Sequence, residues 1–246
     1  TELPSVTLSE CQKESAGCSG VGIPRTKTGR VLKWGVGPFF GQHQLNMFQA
    51  IDLTAGLQGD FVEIGCFRGS TARVALRYMA LNNIKRKCFF LDVFDGFNYE
   101  AAKNSADAMW AGTHETEGKE AVENRILDAV RDNSGLCVQV IRNNIIEDDF
   151  PDAIGGICLA NIDVDMYEAV HEALIKVIGK LVKGGIVVVE DPGHSPALIG
   201  ARFALESFLE VYGEFFTPVY LESGQTFLIK AGSLQTGEID AGHILG

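Results

Sequence analysis

The chain has 246 residues, 46% hydrophobic and 22% charged, and carries 32 acidic against 21 basic side chains for a formal net charge of −11. That length suits one α/β domain with appendages, whose core needs no disulfide or metal staple. The acidity argues against general affinity for nucleic acid or anionic lipid, which bind clustered Lys and Arg, and leaves room for a local basic pocket.

No stretch approaches the ~20 apolar residues of a membrane span, and the amino terminus has no apolar signal core. Residues 1–40 are polar and aperiodic and read as an arm or lid. Cys11 and Cys18 lie there without zinc-ribbon spacing. Cys66, Cys88, Cys137 and Cys158 sit in or beside apolar runs, as core cysteines do. Free thiols in a cytoplasmic protein are the expectation.

From Phe39 to Leu57 the pattern fits an amphipathic helix. A strand is predicted over Phe61–Ile64, a helix over Ser70–Asn82 and a strand over Lys87–Val93. Asn98–Ala108 is ambiguous. A helix is predicted over Glu117–Asp132, then strands over Leu136–Ile141 and Gly156–Ile162. Met166–Lys180 reads as a helix closed by Lys183-Gly184-Gly185. Ile186–Val189 is a strand, Ala197–Tyr212 a helix, and Phe216–Leu221 and Gln225–Lys230 are strands around a Ser223-Gly224 turn. Such alternation predicts an α/β fold: a mostly parallel sheet with helices on both faces and an antiparallel edge. The folded domain is expected over 41–232, with a loose tail over 233–246.

Two acidic clusters end apolar runs. Asp163-Val164-Asp165 follows Ile157–Ile162, and Glu190-Asp191 follows Ile186–Val189. If these runs are neighbouring parallel strands, their carboxylates converge where an open α/β sheet binds ligands. Packed carboxylates repel each other unless a cation joins them, and magnesium prefers oxygen ligands. The plainer reading is that polar loops follow strands; two clusters joined by a strand–helix–strand unit favour a site.

Phe61-Val62-Glu63-Ile64-Gly65-Cys66-Phe67-Arg68-Gly69-Ser70 joins the first strand to its helix. It has one glycine fewer than the dinucleotide fingerprint, and Glu63 at its entrance would repel a pyrophosphate. An NAD-dependent dehydrogenase is therefore disfavoured. Asp92 ends the next strand, placed to accept bonds from ribose hydroxyls. This combination resembles motif I and the following acid of the S-adenosylmethionine-dependent methyltransferases. By itself, the Gly-x-x-x-Gly spacing is a weak signal and fits a plain helix-packing role better than a ligand loop.

Four ordered landmarks resemble the macrocin O-methyltransferase family. Gly59 to Gly69 matches its G-D-x-V-E-x-G-x-x-x-G, and Asp92-Val93-Phe94-Asp95-Gly96-Phe97 its D-S-F-E-G-L. Asp163-Val164-Asp165-Met166-Tyr167-Glu168 matches D-G-D-x-Y-E, and Gly184 to Asp191 matches G-G-x-x-x-x-D-D with Glu190 in place of the first Asp. The resemblance implies a Rossmann-like class I fold with a seven-stranded sheet. It also implies magnesium-dependent methylation of a sugar or related hydroxyl in a natural-product pathway. Glu63, Gly65, Ser70 and Asp92 would hold S-adenosylmethionine. Asp163, Glu190 and Asp191 would hold Mg2+, with Asp163 as the catalytic base. Asp165 would support that shell or the following helix.

Asn143 and Asn144 either line the pocket or form a turn. Arg68 either meets the cofactor carboxylate or makes a local ion pair. His194 is a lesser candidate for the site, His43 and His171 lesser still, and His171 is expected on a helix surface. Trp34, Phe39, Phe40 and Trp110 are candidates to close an acceptor pocket built from residues 1–50, 97–118 and the loop near Pro192–Pro196. The main alternative is a cofactor-binding partner protein of a hydroxylation pathway that transfers no methyl group. A homo-oligomer joined through the amino-terminal region is left open.

Overall fold

The computed structural model describes residues 41–105, 107–131, 135–193 and 199–232. Cys11, Cys18, Trp34, Phe39, Phe40, His194 and Pro196, with the segments 1–40 and 233–246, lie outside the described residues. All but Gly41 of the described residues belong to one compact unit, Gln42–Gly246.

The strands are β1 (Asp60–Ile64), β2 (Arg86–Asp92), β3 (Leu136–Arg142), β4 (Ile157–Ile162), β5 (Leu181–Val189), β6 (Phe216–Tyr220) and β7 (Thr226–Lys230). The helices are α1 (Gln42–Thr54), α2 (Ser70–Leu81), α3 (Glu100–Asn104), α4 (Lys119–Leu127), α5 (Tyr167–Ile178) and α6 (Ile199–Tyr212). One seven-stranded sheet has the order β3-β2-β1-β4-β5-β7-β6. Strands β1 to β5 pair in parallel. Strand β7 runs antiparallel to both β5 and β6. The predicted fold class is the observed one.

Central strands β1 and β4 are buried at every position. A parallel strand covered on both faces needs a continuous apolar run rather than an alternating one. On one face Val62, Ile64, Phe89, Leu91, Val187 and Val189 pack with residues of α5 and α6. In α5, Val170, Ala173, Leu174 and Val177 are buried, the helical spacing that builds one apolar stripe. Each such Leu, Ile or Phe contributes about 1.5–3 kcal/mol by leaving water. On the other face α1 packs on β4, β5 and α2. Phe48 of α1 stacks on Tyr78 of α2 with ring centroids 4.3 Å apart.

Several boundaries differ from the sequence reading. Lys183-Gly184-Gly185 does not close a helix; it lies inside β5, and α5 is capped by Gly179. The register shifts there, because Ile157 pairs with Leu181 but Leu159 with Ile186. Gly184 has φ 77°, the left-handed turn that lets the strand bulge. The helix predicted over Glu117–Asp132 is the shorter α4. The ambiguous stretch holds α3 and a 3-10 turn at Ala108–Trp110. Cys137 is exposed because β3 is an edge strand. His171 is buried rather than superficial, stacked on Tyr167 at 6.0 Å, and burial pushes its pKa down.

Candidate active site

Strand register places the site. Ile64 lies opposite Leu91 on one side and Ile162 on the other, and Ile162 lies opposite Val189. One residue further on are Gly65, Asp92, Asp163 and Glu190. Because the strands are parallel, these four positions share the carboxyl edge of the sheet, where open α/β sheets bind ligands. Backbone bonds hold the edge together: Gly65 N–H donates to Leu91 O at 2.8 Å, Asp163 N–H to Ile64 O at 2.9 Å and Glu190 N–H to Ile162 O at 3.0 Å.

A cleft opens at this edge. Gly65 and Phe67 line it from the β1–α2 loop, Asp92 and Val93 from β2, and Asn143 and Asn144 from β3. Asp163, Val164 and Asp165 close it from β4, and Phe97, Tyr99 and His114 flank it from the segment between β2 and α4.

Asp92 is held by two backbone donors, one per oxygen: Phe67 N–H at 2.7 Å from Oδ2 and Phe94 N–H at 2.6 Å from Oδ1. Burial raises its pKa, and those two N–H groups oppose the rise. Each carboxylate oxygen keeps a lone pair for a hydroxyl donor. Asn143 is buried; its Nδ2 donates to Asp149 O at 3.1 Å, while its Oδ1 has no partner among the described residues. A buried acceptor without a donor is a place for a ligand N–H or O–H. Asn144 forms the turn as well: its Oδ1 accepts Ile146 N–H at 3.1 Å. Both sequence readings of this asparagine pair hold together.

The two loop glycines serve protein packing. A Cβ on Gly65 would lie 1.9 Å from Asp163 O, and one on Gly69 would lie 2.6 Å from Ile126 Cγ1 of α4. Both residues also have left-handed φ, 87° and 76°. Ser70 opens α2, is exposed, and is not among the cleft-lining residues. Arg68 lies over the Phe67 ring, 5.0 Å from its centroid.

Behind the cleft is a group of acids on neighbouring strands. Glu63 is buried between sheet and helices, with Asn161 Nδ2 donating to its Oε1 at 3.3 Å; Oε2 has no partner among the described residues. Burial, reinforced by Glu190 and Asp92, pushes its pKa up to about 8 against the pull of Asn161. Asp163 and Asp191 rise well above the carboxylate range, first through burial and then through neighbouring acids. Asp191, Glu190, Asp165 and Glu63 act on Asp163, and Asp165 and Glu190 act on Asp191. Asp191 Oδ2 is buried without a partner among the described residues.

The chemistry of these donors fits a hard divalent cation, which relieves carboxylate repulsion. Their arrangement is less complete. Among the described residues, no group of three or more His, Cys, Asp or Glu side chains is set to hold a metal ion. Glu190 is the acid held back: its Oε2 accepts from His43 Nδ1 at 2.9 Å and Gln225 Nε2 at 2.7 Å. The hydrogen bond to Glu190 in turn raises the His43 pKa, against burial.

Gly65, Asp92 and Asp163 thus meet at the cleft, with Glu63, Glu190 and Asp191 behind or beside it. Sequence reasoning missed Phe67, Tyr99, His114 and Gln225. Phe67, His114 and Asp165 have φ of 46°, 63° and 58°, conformations that non-glycine residues rarely adopt and that gather at functional sites. Nothing local in the sequence marks them.

Comparison with known proteins agrees with this geometry. Residues 39–212 match the family model described as Macrocin-O-methyltransferase (TylF). A relative from Streptomyces olivaceus, 8-demethyl-8-(2,3-dimethoxy-alpha-L-rhamnosyl)-tetracenomycin-C 4'-O-methyltransferase, is 29% identical over 167 residues. That match covers 65% of this chain and 62% of the relative's length, so the chain spans less than two thirds of it. Among solved structures, the O-methyltransferase NovP has a TM-score of 0.62 at 18% identity, covering 77% of this chain and 79% of its own. CalS11, a calicheamicin methyltransferase, has a TM-score of 0.59 at 18% identity, covering 76% and 77%. These two likenesses show the fold. With the family model matching most of the folded chain, the protein belongs to the macrocin O-methyltransferase family.

Proposed function

We propose that the chain transfers a methyl group from S-adenosylmethionine to a hydroxyl of a small glycosylated or otherwise hydroxylated natural-product intermediate. The observation that carries this reading is the register that sets Gly65, Asp92, Asp163 and Glu190 side by side around one cleft. The Streptomyces olivaceus relative is named for methylating a sugar-bearing polyketide, which favours a sugar hydroxyl as acceptor.

Asp92 accepts the ribose hydroxyls through the lone pairs that Phe67 and Phe94 leave open. Asn143 Oδ1 takes a donor from the base, and Glu63 lies under the loop toward the cationic end. When bound, the cofactor supplies an activated methyl carbon open to in-line attack. The protein orients the acceptor oxygen and removes its proton. Asp163 is the base: it lines the cleft, and burial among neighbouring acids raises its pKa, which makes its carboxylate a stronger proton acceptor. Asp163 would take the proton of the acceptor hydroxyl while the methyl–sulfur bond breaks and S-adenosylhomocysteine leaves.

Asp163, Asp191 and Glu190 would hold Mg2+, which supplies a Lewis acid that lowers the pKa of a bound hydroxyl. Phe97, Tyr99 and His114 wall the cleft against water.

The test is formation of S-adenosylhomocysteine with rhamnosylated and other hydroxylated acceptors, in EDTA and after adding Mg2+. Turnover only with Mg2+ supports the whole reading. Full turnover in EDTA removes the metal half. Cofactor binding without turnover on any acceptor favours a partner protein that transfers no methyl group.

A further inference from the structure

His114 stands on the segment between β2 and α4, and main-chain contacts fix that segment against the residues that follow Asp92. Asp95 and Glu115 form an antiparallel bridge. Phe97 N–H donates to Thr113 O at 3.0 Å, and Gly112 N–H donates to Phe97 O at 3.1 Å. Thr116 Oγ1 donates to Phe94 O at 2.8 Å. The imidazole packs on Phe97 and Phe67, with ring centroids 4.8 Å and 5.5 Å away. Phe94 and Phe67 are the two residues whose N–H groups hold Asp92. His114 is thus built against both supports of Asp92, and the two residues line the same cleft.

Hydrogen bonds on one side of the ring select its tautomer. Thr113 Oγ1 lies 2.7 Å from Trp110 O and 2.7 Å from His114 Nδ1. A carbonyl only accepts, and a hydroxyl has one hydrogen. Thr113 therefore donates to Trp110 O, and His114 Nδ1–H donates to Thr113 Oγ1. In the neutral ring Nε2 then carries a lone pair. Among the described residues, Nδ1 is the ring nitrogen that has a hydrogen-bond partner. The residue is exposed, with φ 63°. Such a left-handed conformation costs energy and persists where the surroundings enforce it. A ring that only covered Phe67 and Phe97 would need no fixed tautomer.

We propose that His114 is a cofactor-binding residue whose Nε2 lone pair accepts a hydrogen bond from an O–H or N–H donor of S-adenosylmethionine. Thr113 is the positioning residue that fixes the tautomer. Asp92 accepts at the sheet edge, and His114 accepts from the flanking segment. The donor is a ribose hydroxyl or the ammonium of the amino-acid part. The proposal deepens the methyl-transfer reading and rests on it for the identity of the ligand.

The experiment uses the full chain, with S-adenosylhomocysteine and adenosine as separate calorimetric probes. The first carries both kinds of donor, the second only the ribose and base. His114→Phe keeps the ring packing and removes the acceptor. It weakens S-adenosylhomocysteine binding about three- to tenfold, the worth of one neutral hydrogen bond. His114→Gln, whose amide oxygen reaches near the Nε2 position, binds within about twofold of wild type. An equal loss for adenosine in His114→Phe assigns the ribose as donor; a loss confined to S-adenosylhomocysteine assigns the ammonium. Nitrogen NMR of the histidine rings, at mildly alkaline pH where imidazoles are neutral, reads the tautomer. His114, identified by its absence from the His114→Gln spectrum, shows Nδ1–H, and its Nε2 resonance moves when S-adenosylhomocysteine is added. Thr113→Val mixes the tautomers and weakens binding.

Unchanged S-adenosylhomocysteine affinity in His114→Phe overturns the proposal and leaves methyl transfer standing. So does an Nε2–H tautomer in the wild type. A loss in His114→Phe that His114→Gln fails to recover marks packing alone and also overturns it. If His114→Phe unfolds, the wild-type Nε2 resonance decides, and its failure to move with ligand overturns the proposal. Binding that depends on His114 in a protein with no turnover on any acceptor supports the proposal and removes methyl transfer. Wild-type protein that binds neither probe overturns both.

Discussion

The carbonyl oxygen of Asp163 occupies the space that a side chain on Gly65 would need. A Cβ there would lie 1.9 Å from it, on a backbone with φ 87°. The glycine loop and the proposed base are therefore packed against each other through main chain. Gly65→Ala cannot relax by rotating a side chain. It is expected to destabilise the fold by roughly 4 kcal/mol or more, the range of the severest single substitutions. Urea unfolding checks this; a loss under about 1 kcal/mol would mean that the two loops separate easily.

Asp163→Asn separates stability from chemistry. The substitution removes a carboxylate that repels Asp191, Glu190 and Asp165. In EDTA the variant is expected to melt above wild type. Its turnover should fall about 10²–10⁴-fold, the usual contribution of a positioned base. Thermal melts and single-turnover kinetics measure the two effects. A variant that is less stable and still active contradicts both roles.

Asp92→Asn places one amide NH2 against a backbone N–H, from either Phe67 or Phe94. It also loses the charge that strengthens bonds from hydroxyls. Cofactor affinity should drop about 10–100-fold, matching about 1.5–3 kcal/mol for a hydrogen bond to a charged group. Calorimetric titration gives the value. Wild-type affinity in the variant would take Asp92 out of the cofactor site.

Glu63 predicts a pH dependence. Its folded pKa is about 8 against an ordinary 4.5, chiefly through burial. Between those values the folded protein keeps a proton that the unfolded chain has released. Stability is therefore fully present below about 4.5 and declines as pH rises toward about 8. At about 1.36 kcal/mol per pH unit, the ceiling is roughly 5 kcal/mol. Melting temperatures of wild type and Glu63→Gln, taken in EDTA from pH 5 to about 8.5, should diverge with the variant flatter. Parallel curves would show that Glu63 ionises freely.

Much of the fold was legible because each central strand is a short buried apolar run followed by a glycine or an acid. Phe61–Ile64 before Gly65 and Ile157–Ile162 before Asp163 are the clearest. Lys183-Gly184-Gly185 misled, because two adjacent glycines mark a helix end and a strand bulge equally well. Only the partner strand separates them, through the shift between Leu181 and Ile186. His171 misled because its burial, against Tyr167 of the same helix, depends on packing that the residue type does not announce.

By itself the sequence determined which acids stand at strand ends, since an apolar run followed by an acid, and the chain order of such runs, is local information. It also carried the ordered landmarks of the family. Tertiary structure alone decided which of those acids face one another. Strand register sets Asp163 beside Gly65. Hydrogen bonds from His43 and Gln225, distant in the chain, fix one carboxylate oxygen of Glu190. The same packing uses the loop glycines for main-chain contact and holds Phe67, His114 and Asp165 in left-handed conformations. Such choices depend on distances between residues far apart in sequence, which no local pattern encodes.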